Sequence, residues 1–350
     1  MKNAGLNSKI LNRRDFLAKS GLATASFASG LPAFGADARG ESAAEKQPAL
    51  IAISLDLEMA RNFPRWEDTH WDYEKGNLND AAKTYALEAA RRVKARGGVI
   101  HFFLVARALE QENVDWLKEI IKMGHSVGNH TYDHVYLLAA KPEEIQYRFA
   151  RAPWLIEGKA VAEIIRENIR LGSAAIRSRL GITPAGFRAP GGFADGIAQR
   201  SDIQKMLLES GFSWVSTKYP AHPNSEPGTE ANAAVFDGIV KAQTAAQPFL
   251  YPSGLIEIPM SPISDIGAFR NGRWNLEHFL KSTRMNLEWA IQRGAVFDFL
   301  SHPAVLSAMD PEFRAIDLIC ELVEKARNAA KIVNLDTIAV RVRETTPGKH

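Results

Sequence analysis

The fold is indicated by Ala49-Leu50-Ile51-Ala52-Ile53-Ser54-Leu55-Asp56-Leu57-Glu58, an apolar run that stops at acidic side chains. Similar apolar runs alternate with amphipathic helical patterns along the rest of the chain, and this alternation favours a parallel sheet closed into a barrel. We therefore predict an α/β fold, a deformed (β/α) barrel of seven or eight parallel strands that resembles a TIM barrel. The predicted strands are Leu50–Asp56, Val99–Val105, Ser126–Asn129, Gly186–Ala189, Ser213–Thr217, Leu255–Met260, Ala295–Ser301 and Lys331–Asn334. The predicted helices are Ala81–Arg96, Val114–Met123, a broken Pro142–Leu180, Ile203–Ser210, Leu276–Arg293 and Pro311–Ala330.

The N-terminal stretch has the layout of an export signal. Arg13 and Arg14 precede a weakly apolar segment that is rich in Ala, Gly and Ser and ends at Ala36. This order resembles a twin-arginine signal peptide, although an amphipathic helix with a chance Arg pair is the alternative. The segment is too short and polar for a stable membrane span. We expect a signal peptide over residues 1–36, a linker over 37–48 and one folded domain over 49–345. The protein would then use the twin-arginine export machinery and be periplasmic or secreted.

Composition excludes several kinds of partner and chemistry. The formal net charge of +3 comes from the N-terminal stretch, and residues 37–350 carry −1. A nearly neutral body gives no electrostatic reason to expect binding to nucleic acid or to an anionic membrane surface. The chain has one cysteine, Cys320, so it forms no internal disulfide, and its apolar helical neighbours indicate a buried side chain rather than a nucleophile.

Four chemically versatile side chains each stand at the end of a predicted strand. They are Asp56, His130, Arg188 and His302. In barrels of this class the loops at the C-terminal ends of the strands build the active site. The sequence therefore predicts that these four side chains converge at one rim of the barrel.

The stretch Gly124-His125-Ser126-Val127-Gly128-Asn129-His130-Thr131-Tyr132-Asp133-His134 places two histidines four residues apart, directly after a short strand. On a helical turn His130 and His134 can face the same way and share a metal ion. Spacing alone is weak evidence, because such a pair arises by chance in many chains. The position at the rim strengthens the prediction. His125 precedes the strand, and we interpret it as structural.

Asp56 and Glu58 lie two residues apart on an extended segment, so their side chains point to the same face. A divalent ion favours two neutral imidazoles and a carboxylate, with one position open for water. The other carboxylate is then available as a general base. A solvated strand end that carries two acids is the alternative.

Two further segments carry candidate catalytic groups. Gly186-Phe187-Arg188-Ala189-Pro190-Gly191-Gly192 ends a strand in a guanidinium that can orient a carboxylate. His302 follows the apolar strand of Val296-Phe297-Asp298-Phe299-Leu300-Ser301 and is a candidate general acid. Taken alone, Arg188 would more often form a structural salt bridge, and His302 would more often be a structural histidine.

Taken in order, these segments resemble the polysaccharide deacetylase family, which is also known as the NodB-homology domain or carbohydrate esterase family four. The resemblance covers residues 49–340 and is strongest at Gly124–His134, Phe187–Gly192 and Leu300–Pro303. Glu257-Ile258-Pro259-Met260 is similar to a late Glu-Ile-Pro strand of the family. The resemblance implies a deformed barrel and attack of a metal-activated water on an acetamide carbonyl.

The resemblance also implies one divalent ion, Zn²⁺ in the first place and Co²⁺, Ni²⁺ or Mn²⁺ as alternatives. Its ligands would be His130, His134 and an acidic side chain. The family usually has two adjacent aspartates in its first motif, whereas here Leu57 follows Asp56 and the next acid is Glu58. A subset of relatives, which includes cyclic-amide hydrolases and some peptidoglycan deacetylases, has acids separated by one residue. This chain is similar to that subset, and Glu58 is the predicted third ligand.

The same resemblance implies a role for each remaining site residue. Asp56 would be the base, Arg188 would orient that base, and His302 would protonate the departing amine. The family's usual fourth-motif Asp is missing from Trp214-Val215-Ser216-Thr217. Either Asp265 or Asp298 could replace it, and the sequence does not choose between them.

Three functional hypotheses follow for residues 49–345. The first is a metal-dependent hydrolase that removes N-acetyl groups from an exported or envelope carbohydrate. The second is an amidohydrolase of the same superfamily that acts on a cyclic imide, a ureide or another small amide. The third, motivated by Leu57, is a non-catalytic carbohydrate-binding barrel. The segment 65–73 is an aromatic and acidic loop that could stack on sugar rings or only pin the loop. Residues 218–251 form an insertion of unpredicted structure.

Overall fold

A nine-stranded sheet organises the protein in the computed structural model, which describes residues 47–59 and 75–345. The order of strands along the sheet is β6-β7-β5-β4-β3-β2-β1-β8, and β9 pairs with the beginning of β1. All pairs are parallel except β6 and β7, which are antiparallel. The strands are β1 (Ala49–Leu57), β2 (Ile100–Leu104), β3 (Ser126–Asn129), β4 (Phe187–Phe193), β5 (Trp214–Lys218), β6 (Phe249–Leu250), β7 (Ile256–Glu257), β8 (Val296–Ser301) and β9 (Ala330–Ile332). The predicted deformed (β/α) barrel is confirmed.

The nearly continuous apolar run of β1 is explained by its burial on both faces. All nine of its residues are buried, as expected for an inner strand of a parallel sheet that has helices outside and a filled interior. It pairs with β2 over Ile53–Leu57 and with β8 over Leu50–Leu55. The buried polar side chains of Ser54 and Asp56 alternate with apolar ones and lie on the inner face, so β1 delivers polar groups to the barrel interior.

The helices surround the sheet, and the predicted boundaries are close to those observed. The helix over Leu276–Arg293 has the predicted bounds, and the predicted segment 142–180 is broken as expected. Three helices were not predicted: α7 in the insertion, α9 after His302, and the C-terminal α11. The helices are α1 (Asp80–Ala95), α2 (Asp115–Lys122), α3 (Pro142–Ile145), α4 (Tyr147–Arg151), α5 (Val161–Leu180), α6 (Ser201–Glu209), α7 (Ala233–Ala242), α8 (Leu276–Arg293), α9 (Pro303–Met309), α10 (Arg314–Ala326) and α11 (Leu335–Thr345).

The deformation of the barrel lies between the β6–β7 pair and β8, which are at opposite ends of the strand order. The backbone N–H of Ser261 donates to the carbonyl of Asp298 over 3.0 Å. The side-chain amides of Gln243 and Gln247 donate to the carbonyl of Val296 over 3.3 and 3.0 Å. Two side chains that follow α7 therefore satisfy a carbonyl of β8 that a neighbouring strand would satisfy in a regular barrel.

Several predicted features fall outside the described residues. These are the signal peptide over 1–36, the linker except for Gln47 and Pro48, and the aromatic and acidic loop over 65–73. Among the residues that the structure describes, no helix is long and apolar enough to cross a membrane.

Candidate active site

The carboxylate of Glu58 is the centre of a buried cluster at the C-terminal end of β1. Its Oε1 lies 3.2 Å from Nε2 of His130, 3.1 Å from Nε2 of His134 and 3.4 Å from Nε2 of His302. Asp56 Oδ2 lies 3.8 Å from Nε2 of His130. The two acids therefore face one site, as their spacing predicts, and His302, which is distant in sequence, joins His130 and His134 around them.

The two neighbouring histidines meet through a loop rather than a helical turn, so that part of the prediction is wrong. Residues 130–134 contain no helix, and Thr131 and His134 have positive φ angles of 61° and 62°. Asn168 on α5 stabilises this backbone, because its Oδ1 accepts the N–H groups of Tyr132 and Asp133 over 2.9 and 2.8 Å. Left-handed backbone at non-glycine residues is held by such surrounding bonds and is concentrated at functional sites.

The residues present fit a divalent metal ion. Glu58, His130 and His134 each offer one ligand atom, and these atoms lie within 4.8 Å of one another. Nδ1–H of His130 donates to the carbonyl of Arg188 over 2.9 Å, so the lone pair of the neutral ring is on Nε2, which faces the site. The 3.1 and 3.2 Å separations between ligand atoms match the edge of about 3.3 Å expected for a tetrahedral site with bonds of about 2.0 Å.

Arg188 fixes Asp56 inside the barrel. Its guanidinium is fully buried and donates to Asp56 Oδ1 over 2.9 Å and to Asp298 Oδ2 over 2.5 Å. It also donates to Ser54 Oγ over 2.8 Å and to Ser216 Oγ over 3.2 Å. The predicted position at the end of a strand is wrong, because β4 continues through Phe193. Its contact with Asp56 is the one that the resemblance implies.

His302 is fixed by Asp265. The carboxylate accepts the backbone N–H of His302 over 2.7 Å and its Nδ1–H over 2.9 Å, so Nε2 faces the site. Burial lowers the pKa of His302, but the carboxylates of Asp265 and Glu58 outweigh burial and raise this pKa to about 10. The protonated imidazolium is therefore the stable form of His302 in this environment.

The two acids that the sequence could not choose between have different positions. Asp298 contacts Arg188, and burial raises its pKa despite that contact. Asp265 contacts His302. Leu57, which stands where the family has its second aspartate, packs in the hydrophobic core. Glu58 occupies the cluster instead, so the departure at Leu57 does not remove a carboxylate from the site.

Lys75 is a site residue that sequence reasoning missed. Its ammonium contacts Oε2 of Glu58, and its side chain is 2 % exposed. Burial disfavours ionisation of Glu58, but Lys75, His134 and His302 hold the pKa of Glu58 well below its usual range. Lys75 precedes a glycine and follows Glu58 by seventeen residues, a pattern that belongs to no motif. Its place in the site is therefore visible only in the folded chain.

Comparison with known proteins tests the resemblance. Residues 78–206 match the family model described as "Polysaccharide deacetylase". The match contains His130, His134 and Arg188, which the structure places together. This segment is similar to the polysaccharide deacetylase family, as the resemblance predicts. The match supports the predicted hydrolysis of carbon–nitrogen bonds.

Solved structures support the fold of this chain. A protein described as a polysaccharide deacetylase from Mycobacterium smegmatis superposes with a TM-score of 0.58 at 17% identity, covering 88% of this chain and 95% of its own. One from Pseudomonas aeruginosa PAO1 gives 0.55 at 13% identity, covering 86% and 92%. Puue allantoinase gives the same four values, 0.55, 13%, 86% and 92%. At these identities the likeness concerns the fold alone. No curated protein matches the chain significantly in sequence.

Proposed function

We propose that the protein is a metal-dependent deacetylase that hydrolyses the acetamide of an N-acetylated carbohydrate outside the cytoplasm. The observation that carries the proposal is the convergence on Glu58 of three imidazoles, with Asp56 and Arg188 beside them. A ligand set, a candidate base and a candidate acid therefore lie within one buried cluster, which is what amide hydrolysis needs.

Glu58, His130 and His134 would hold the metal ion. When bound there, a divalent ion such as Zn²⁺ polarises the amide carbonyl and lowers the pKa of a coordinated water. Nε2 of His130 is kept available by the bond from Nδ1–H to the carbonyl of Arg188. At His302, Nδ1–H donates a hydrogen bond to Asp265, and Nε2 faces the cluster.

Asp56 is the proposed base. It takes a proton from the attacking water as the water oxygen bonds to the carbonyl carbon. Arg188 donates to Oδ1 of Asp56, whereas Oδ2 lies on the side of His130 and the cluster. Arg188 is itself held by Asp298 and Ser216. The base is thus oriented by a guanidinium that has little freedom to move.

His302 is the proposed acid. As the carbon–nitrogen bond breaks, Nε2 of the imidazolium gives its proton to the nitrogen, so that acetate and a free amine leave. Asp265 keeps the ring protonated and directs Nε2 toward Glu58 Oε1. Asp265 is therefore the acid that we assign to the role of the missing fourth-motif aspartate.

A second candidate function is hydrolysis of a cyclic imide, a ureide or another small amide. The spacing Asp56-Leu57-Glu58 favours it, because that spacing resembles a subset that includes cyclic-amide hydrolases. The fold likeness to Puue allantoinase equals that to the Pseudomonas deacetylase, so fold does not separate the two candidates. The twin-arginine-like start of the chain supports the carbohydrate, because envelope polymers lie outside the cytoplasm.

A substrate screen tests the proposal. Purified protein would be loaded with Zn²⁺, Co²⁺, Ni²⁺ or Mn²⁺ and assayed on chitin oligomers, peptidoglycan fragments and small cyclic imides, each with and without chelator. We expect chelator-sensitive acetate release from the N-acetylated sugars. Ring opening of an imide without acetate release would instead support the second candidate.

The variant Asp56→Asn tests the assignment of the base. Because Asp56 is not among the proposed ligands, metal content should stay near one ion per chain. The rate of acetate release should fall by about 10²–10⁴-fold, the range for loss of general base catalysis. Full activity in Asp56→Asn would refute the assignment.

A further inference from the structure

Glu58 faces two cation positions through its two carboxylate oxygens. Oε1 faces Nε2 of His130 and Nε2 of His134, which are the proposed metal ligands. Oε2 contacts the ammonium of Lys75. Both side chains of this ion pair are almost fully buried, at 2% and 8% exposure. A buried carboxylate needs positive partners, and Lys75 is the nearest one, with the imidazolium of His302 3.4 Å from Oε1.

The backbone holds Lys75 at this position. The N–H of the next residue, Gly76, donates to the carbonyl of Glu58 over 2.5 Å. Gly76 has a φ of +88°, and a Cβ there would lie 2.7 Å from Cβ of Arg107. Only glycine fits this conformation and this close approach. The backbone of Gly76 is therefore held against the end of β1, and this contact places Lys75 beside Glu58.

We propose that Lys75 competes with the metal ion for Glu58 and thereby weakens metal binding. The inference rests on the proposed function, because it takes Glu58, His130 and His134 as the metal site. The ammonium neutralises the only carboxylate of that ligand set, and it would stand next to a divalent ion as a like charge. In a desolvated site both effects oppose binding of the ion more strongly than they would in water.

Metal titration tests the competition. The Zn²⁺ dissociation constant would be measured by calorimetry against a chelator for the wild type, Lys75→Met and Lys75→Gln. Lys118→Met is the matched control, because Lys118 is exposed and pairs with Asp115 at the surface. We expect both Lys75 variants to bind Zn²⁺ at least about tenfold more tightly, since a like charge is removed. The control should equal the wild type. Unchanged or weaker binding in both variants would overturn the proposal.

Thermal unfolding gives a second readout that needs no activity. Without metal, both Lys75 variants should melt at a lower temperature than the wild type, because Glu58 has lost the nearest of its positive partners. Saturating Zn²⁺ should raise their melting temperatures by more than it raises that of the wild type. If Zn²⁺ does not relieve the destabilisation in either variant, Lys75 only stabilises the fold. The proposal would then fail.

The wild type separates failure of this inference from failure of the proposed function. If the wild type binds no Zn²⁺, and His134→Ala behaves identically, the metal site itself is refuted. If the wild type binds Zn²⁺ and loses it in His134→Ala, but the Lys75 variants bind with wild-type affinity, only the competition is refuted.

Discussion

Asp265 accepts two hydrogen bonds from His302, one from the backbone N–H at 2.7 Å and one from Nδ1–H at 2.9 Å. The two bonds fix both the backbone and the ring of a histidine that follows the last residue of β8. Asp265 is fully buried and comes directly before a π-helical turn over Ile266–Asn271. The carboxylate therefore sets the direction of Nε2 and, with Glu58, raises the pKa of His302 against the effect of burial.

Removing the charge of Asp265 should make His302 a weaker catalyst at high pH. A protonated acid is needed, so activity is lost as pH rises through the pKa of His302. Because Asp265 raises that pKa, Asp265→Asn should move the basic limb of the kcat profile to lower pH by about one unit or more. The kcat value should change more than KM. The measurement is acetate release as a function of pH.

The control is Asp202→Asn, which removes an exposed carboxylate that pairs with Arg200. Its pH profile should coincide with that of the wild type. A basic limb that does not move in Asp265→Asn would show that Asp265 only supports the backbone of His302 and does not set its protonation.

Arg188 should contribute to stability as well as to catalysis, because it separates two buried carboxylates. Arg188→Met leaves Asp56 and Asp298 without their shared cation. We expect the free energy of unfolding to fall by about 3–5 kcal/mol, the range for removal of one partner of a buried ion pair. Urea denaturation of the metal-loaded protein would measure it.

The double variant Arg188→Met with Asp298→Asn tests the cause. Since Asp298→Asn removes one of the two uncompensated charges, the double variant should be more stable than Arg188→Met alone. If the double variant is instead less stable than Arg188→Met, uncompensated charge is not the cause. The destabilisation would then come from lost packing of Arg188 against Phe103, whose ring centroid lies 4.3 Å from the guanidinium.

The sequence predicts most of the fold because strands buried on both faces leave a clear apolar pattern. β3 and α8 have the predicted bounds, and β1 differs by one residue at each end. The pattern fails where structure depends on contacts rather than periodicity. The two-residue strand β6 is too short to show alternation, and α7 lies in a segment that is otherwise polar and proline-containing.

The site was predictable to the extent that its residues end strands. Asp56, Glu58, His130 and His302 meet as expected, because parallel strands end at one rim. Lys75 follows no strand, and its approach to Glu58 depends on a glycine-specific turn. The helical-turn geometry predicted for His130 and His134 is wrong because the side chain of Asn168 on α5 holds a different backbone, and a spacing of four residues does not encode that contact.

Asn168 should hold the histidine loop in its binding geometry. Its Oδ1 accepts the N–H groups of Tyr132 and Asp133, and its Nδ2–H donates to Asp133 Oδ2 over 3.0 Å. Asn168→Ala should release residues 130–134 and weaken Zn²⁺ binding by about tenfold or more, as loss of supporting contacts does at other metal sites. Calorimetry would measure the affinity, with Asn113→Ala as the control, since the exposed side chain of Asn113 accepts the N–H of Asp115 at the start of α2.

Asn168→Asp separates geometry from packing. The substitution keeps an oxygen that accepts both N–H groups. It replaces the amide that donates to Asp133 with a second oxygen, so two carboxylates then face each other. We expect an affinity between those of the wild type and Asn168→Ala. Wild-type affinity in Asn168→Ala would show that the loop keeps its geometry without this side chain.

Glu257 lies away from the catalytic cluster, and its ionisation should make the free energy of unfolding depend on pH. It is fully buried, and its carboxylate accepts bonds from Thr217 N–H and Oγ1–H at 2.6 Å each, from Lys218 N–H at 2.8 Å and from the Tyr251 hydroxyl at 2.9 Å. Glu257→Ala leaves these buried donors without an acceptor, and we expect a loss of at least about 3 kcal/mol in the free energy of unfolding.

The pH dependence of stability tests whether burial or hydrogen bonding dominates at Glu257. Burial raises its pKa above the usual 4.5, although the four hydrogen bonds act in the opposite direction. The folded protein then binds this proton more tightly than the unfolded chain, so the contribution is complete below pH 4.5 and is lost as pH rises through the folded pKa. Relative to Glu257→Gln, which has no titrating group, the wild type should lose stability from pH 4.5 upward. A relative gain over that range, measured by urea denaturation of both proteins, would mean that the hydrogen bonds outweigh burial and that the carboxylate is held ionised in the fold.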